Sequence, residues 1–99
     1  MHIDSERIES PVDIQFDPAK NSANVRKHGI DLSDVDQVFY DAYAVTIEDQ
    51  AHNEQRFLTL GMDGFGRLLV VCYTHRGEAT IRVISARKAE PHERKAYEG

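Results

Sequence analysis

The chain has one cysteine, no tryptophan and no long apolar run among its 99 residues, and each scarcity excludes something. The lone thiol, Cys72, cannot close an internal disulfide, and its apolar surroundings read as a core position in a protein kept in a reducing cytoplasm. No stretch approaches the roughly 18 apolar residues that a membrane-spanning helix needs. Met1 to Ser10 carries Asp4, Glu6 and Glu9 and lacks the apolar centre of a signal peptide. No repeat, linker or low-complexity segment interrupts the chain, and no His, Cys, Asp or Glu set has metal-ligand spacing, so neither metal nor cofactor is expected. Gly61, Gly64 and Gly66 suit a hairpin and do not precede a helix, so they form no phosphate loop. Positive charge is scarce too. The formal net charge is −5, against the positive field that usually draws nucleic acid. The acid is concentrated early, however: residues 1–54 hold twelve acids and four bases, residues 55–99 eight bases and five acids. A local basic face on an acidic protein is compatible with that split.

What is present begins with one self-contained helix. Asp17 can cap it, Pro18 suits its first position, and Gly29 can take the left-handed turn that ends it. Lys20, Asn24 and Lys27 fall at i, i+4 and i+7, on one face that is either a binding surface or merely a solvated one. Residues 1–11 read as a flexible polar tail and residues 12–99 as one domain. Val12 to Phe16 is a short strand with Val12, Ile14 and Phe16 on one side. Ser33 can cap a second helix, with Asp36 as a weak capping box and Val35, Val38 and Phe39 as its buried stripe. Residues 43–48, 56–62, 67–74 and 79–87 read as four strands, and Pro91 opens a last helix. The expected order is β-α-α-β-β-β-β-α, an α+β domain with a small twisted antiparallel sheet.

Several of these segments together resemble a known family. Phe16-Asp17-x-x-Lys20, followed by Asn24 and Lys27-His28-Gly29-Ile30, is similar to the opening of the BrnT toxins, ribonucleases of bacterial type II toxin–antitoxin systems. Further similarities follow in order: Asp49, Glu54 and Arg56, then Gly61, Leu68 to Val71, Arg82 to Arg87, and Glu93 to Tyr97. The resemblance implies a RelE-like fold whose helices pack one sheet face and leave the other for RNA. It also implies growth arrest by metal-independent RNA cleavage in the cytoplasm, and a BrnA-like ribbon-helix-helix antitoxin that covers the active face. Any DNA contact would come through that antitoxin. The chain departs from the family at Gln15, where an acid is common, at Phe16, where tryptophan is common, and at Glu90, where a Ser or Thr cap is expected. A non-catalytic module acting as a co-repressor partner is the alternative.

Cleavage of this kind proceeds by attack of a ribose 2′-hydroxyl on the adjacent phosphate, so preplaced cations lower the barrier. Arginine suits that work because its fork binds two phosphate oxygens and stays charged. Arg56 and Arg82 are the expected clamp, with Lys27 positioning the backbone. His28 is the candidate general base or acid on chemical grounds, with capping or packing at the helix end as the competing role. Lys20, Asn24, Arg87, Lys88 and Tyr73 complete the candidates for RNA contact. Two of these have competing accounts: Arg87 can pair with Glu93 or Glu90, and Tyr73, like Tyr97, can be core instead of a stacking platform. Strand parity sets Arg56 with Leu58 and Leu60, and Arg82 with Ile84 and Ala86. Arg82 and Arg87 then share a face only if a bulge intervenes.

Overall fold

The sheet is ordered β1-β5-β4-β3-β2 in a computed structural model that describes residues 13–50 and 53–99. The expected tail and the start of the first strand at Val12 lie outside those residues, as do His2 and His52. Strand β1 is Asp13–Gln15, β2 Val45–Asp49, β3 Arg56–Met62, β4 Leu68–His75 and β5 Thr80–Lys88; helix α1 is Pro18–His28 and α2 Pro91–Glu98. The sheet is not wholly antiparallel: β1 runs parallel to β5, from which α1, the two turns after it and three strands separate it in the chain, whereas β2 to β5 form the meander.

Helix α1 starts and stops as its residues dictate. Asp17 accepts from the Ala19 N–H at 3.2 Å, and Gly29 takes φ 72° as the left-handed cap. The expected second helix is instead two short 3-10 turns, Leu32–Asp34 and Asp36–Tyr40. Asp31, not Ser33, caps the first of them, accepting from both the N–H and the hydroxyl of Ser33. The stripe survives that change, since Val35, Val38 and Phe39 are buried. Gly61 makes the close approach possible: a Cβ there would lie 3.0 Å from Val38 Cγ1 and 3.1 Å from its carbonyl oxygen.

One sheet face carries the core. Leu69, Val71 and Tyr73 of β4 and Ile81, Val83 and Ala86 of β5 pack with Ile30, Leu32, Val35, Val38 and Phe39. Tyr73 is central to it, edge-on to Phe39 at 4.9 Å, with its hydroxyl 2.8 Å from Thr59 Oγ1. On β5 the pairing passes from Val83 opposite Tyr73 to Ser85 opposite Cys72, so Ile84 is an extra residue. This bulge inverts the later parity: Ala86 turns into the core, while Ser85 and Arg87 join Arg82 on the second face.

Helices do not lie on one face only. Arg87 on the second face holds α2 through both oxygens of Glu93, at 2.8 Å each. The other end of α2 reaches Asp41, whose Oδ2 accepts from the Tyr97 hydroxyl and from the Met62 N–H. Leu68 and Val70 on this face are buried beside it, outside the main core. Helix α2 thus crosses one end of the second face, and the end toward Arg56, Thr74 and Arg82 is left uncovered by it.

Candidate active site

A row of side chains crosses the open end of the second face. Gln15 stands opposite Arg82, Arg82 opposite Thr74, and Asp49 opposite Arg56. Continuing the β3–β4 register by one residue past Phe57 and Tyr73 sets Arg56 opposite Thr74. Arg56 and Arg82 are therefore two strands apart on one face, with Cα atoms about 10 Å from each other at the usual strand spacing. Neighbouring positions on that face hold Cys72, opposite Leu58 and Ser85, and then Ile47 beyond Leu58.

The row is rich in donors. Arg82 makes no ion pair among the described residues and is half-buried. Arg56 Nε lies 3.4 Å from Glu54 Oε1 but is aligned for no hydrogen bond. Thr74 is 5 % exposed, and its hydroxyl also lacks a partner. Cys72 is half-buried on this face and is not a core thiol. Its burial pushes the thiol pKa up, against the lowering effect of the Arg56 charge.

Of the residues expected to act on RNA, Arg56 and Arg82 are brought together. Lys20 and Lys27 are exposed on α1, and Lys88 is exposed at the end of β5. His28, half-buried in the last turn of α1, makes no hydrogen bond or ion pair with either arginine.

Three of the residues expected to contact RNA are engaged within the fold. Asn24 is buried at 6 % exposure. Its Nδ2 donates to the carbonyls of Ile30 at 2.8 Å and Ala86 at 2.9 Å, and its Oδ1 accepts from the Ala86 N–H at 3.1 Å. Tyr73 is core, because the parity of β4 turns it away from the arginine row. Arg87 is committed to Glu93, whose carboxyl that hydrogen bond holds down at about 2. The Arg87 pairing with Glu93 was legible as one of two alternatives. Thr74 was missed, and the signal for it is its position opposite Arg82 once strand pairing is known.

One carboxylate–histidine cluster among the described residues has the spacing of a metal site. Glu90, His92 and Glu93 place ligand atoms within 4.8 Å of one another, but both Glu93 oxygens already serve Arg87. The cluster is thus a helix start, where Glu93 also accepts from the Glu90 N–H at 2.8 Å.

Comparison with known proteins agrees with this architecture. No curated protein matches the chain. The crystal structure of the Brucella abortus ribonuclease toxin BrnT is similar, with a TM-score of 0.67 and 26 % sequence identity over 80 % of this chain and 97 % of that one. Residues 16–93 match the model of the ribonuclease toxin BrnT of type II toxin–antitoxin systems, which makes this chain a member of the BrnT family of ribonuclease toxins.

Proposed function

We propose that this chain arrests growth by cleaving RNA at the arginine row of its second sheet face, without a metal ion. The observation that carries the proposal is the placement of Arg56 and Arg82 on one face, on either side of Thr74. A base takes the proton of the attacking 2′-hydroxyl, the phosphorus gains a bond and its equatorial oxygens gain negative charge. The bond to the 5′-oxygen then breaks, leaving a 2′,3′-cyclic phosphate and a 5′-hydroxyl that an acid has protonated. Two fixed guanidinium groups stabilise that charge more than the ground-state diester. Lys27, Lys20 and Lys88 supply exposed cations for the flanking phosphates. His28, in the last turn of α1, is the candidate base or acid, with a helix-end role as its alternative.

The partner in this proposal is a BrnA-like antitoxin with a ribbon-helix-helix domain, which would cover the same face. Support comes from the apolar border of the row: Ile47 is 58 % and Val45 43 % exposed, on the edge strand beside Leu58 and Leu60. A protein partner gains by burying such a border, whereas RNA does not. A RelE-like ancestry and a cytoplasmic site of action belong to the same proposal.

The test is cleavage of RNA by the purified chain with a chelator present, beside Arg82→Ala and Arg56→Ala. Native cleavage that survives the chelator and falls by about 100-fold or more in each folded variant is expected, the scale of one lost charge-stabilising donor. Cleavage abolished by the chelator would refute the metal-free mechanism. Intact RNA with the native chain would leave a non-catalytic partner of the antitoxin.

A further inference from the structure

Thr74 is unlike the other buried threonine of the sheet. Thr59, on the core face, has both Thr46 Oγ1 and Tyr73 Oη at 2.8 Å. Thr74, on the second face, has neither partner nor exposure. Among the described residues only two buried side-chain polar atoms lack a hydrogen bond: Thr74 Oγ1 and Arg56 Nε. The β3–β4 register puts these two residues opposite each other, with Arg82 on the other side of Thr74.

Arg56 Nε can only donate, the guanidinium of Arg82 can only donate, and a threonine hydroxyl can donate to whatever acceptor arrives. Asp49 flanks Arg56 on the side away from Thr74, and Glu54 approaches Arg56 from the β2–β3 loop at 51 % exposure. Arg56, Thr74 and Arg82 thus stand on three adjacent strands of one face, with Thr74 between two guanidinium groups, an arrangement suited to an anion. The hydroxyl and Nε are closed from solvent here, so an RNA phosphate reaches them only if the arginine side chains beside them swing aside.

We infer that Thr74 is a substrate-binding residue, its hydroxyl donating to a non-bridging oxygen of an RNA phosphate held between Arg56 and Arg82. The inference rests on the ribonuclease reading and deepens it. It also explains why a sheet would keep an unpaired buried hydroxyl, which weakens the free protein.

The test compares the native chain with Thr74→Val, which keeps the shape, and Thr74→Ser, which keeps the hydroxyl. Three quantities are read: single-turnover RNA cleavage, binding of an uncleavable 2′-O-methyl oligonucleotide, and thermal midpoint. Thr74→Val is expected to slow cleavage and weaken binding by about ten-fold or more, the value of one hydrogen bond to a charged group. Its midpoint should stay level or rise, and Thr74→Ser should recover both functions. A Thr74→Val chain that cleaves and binds as the native one does, while Arg82→Ala fails, overturns the inference and leaves the nuclease reading intact. A clear fall in its midpoint also overturns it, because the hydroxyl would then be structural. If the native chain binds the oligonucleotide but leaves RNA uncut, the nuclease reading falls and the binding series alone decides the role of Thr74. If it does neither, both fall.

Discussion

Asn24 behaves as a piece of sheet carried on a helix. Strand β1 pairs with β5 only as far as Arg82, so the edge of β5 beyond it would present bare N–H and C=O groups. The Asn24 carboxamide takes both groups of Ala86, as an adjacent strand would, and ties Ile30 to the same point. Helix α1 has no buried apolar residue, and its Val25 is 43 % exposed. Its second anchor is again an amide: Asn21 donates to Asp31 Oδ1 at 3.0 Å and accepts from the Leu32 N–H at 2.8 Å. Asn24→Ala strands the Ala86 N–H and carbonyl together, at about 1–3 kcal/mol per buried unpaired group, so a total loss of about 2–6 kcal/mol is expected. Urea unfolding measures it, and a midpoint within error of the native value would refute the structural role. Spacing alone placed Asn24 with Lys20 and Lys27, because i, i+4 and i+7 define a face but not its direction. The missing apolar stripe was the available clue: a helix without one must dock through polar groups.

Elements show where parity is readable and where it fails. The β3 to β5 strands and both α-helices follow from apolar alternation, Asp17, Pro18, Gly29 and Pro91. The bulge at Ile84 does not, since one extra residue in a strand leaves no compositional mark, and it reverses the side of Ser85, Ala86 and Arg87. That reversal is what lets Arg87 hold α2. The docking of α2 rests on two ionic hydrogen bonds with opposite pH limits. Arg87 holds the Glu93 carboxyl down at about 2, against an ordinary 4.5. A depressed carboxyl gives stability that is full above about 4.5 and lost as the pH falls toward 2. At the other end the bond to Asp41 pushes Tyr97 up to about 12 from 10. A raised group stabilises fully below its unfolded value, so this contribution fades as the pH climbs from 10 through 12. Hydrogen exchange of the α2 amides should therefore be most protected between pH 5 and 10 after correction for intrinsic rates. The Glu93 contribution, screened by solvent at the 38 % exposed Arg87, is roughly 1–2 kcal/mol. Glu93→Gln should shrink the acid limb to the share of Asp41, whose carboxyl, against the cost of its burial, the Tyr97 hydroxyl also holds low, and leave the alkaline limb in place; an unchanged acid limb would assign it to Asp41 alone. The close packing of β3 on the second 3-10 turn makes a separate claim. Gly61→Ala pushes a Cβ into Val38 and should cost about 1–3 kcal/mol in unfolding experiments.

The whole molecule sets a local donor site against an unfavourable overall charge of −5. Long-range attraction cannot gather RNA to such a protein, so binding must come from few, close contacts at the arginine row. The number of phosphates neutralised is readable from salt: for single strands the logarithm of affinity falls by about 0.7 per contact for each decade of salt. With Arg56 and Arg82 as the close contacts and Lys20, Lys27 and Lys88 meeting flanking phosphates, a slope between about −1.5 and about −3.5 is expected, against far steeper values for proteins with extended basic surfaces. Arg82→Ala should reduce the slope by about 0.7, whereas Arg87→Ala should leave it unchanged because that guanidinium already serves Glu93. Titrating an uncleavable oligonucleotide at several salt concentrations checks all three values. A native slope of −4 or steeper would mean that RNA covers far more of the surface than the arginine row. A slope lowered equally by the Arg82 and Arg87 variants would mean that the α2 pairing opens when RNA binds. Between those outcomes, the small slope identifies a toxin that grips one phosphate group closely and holds the rest of the strand weakly, as its acid-rich first half dictates.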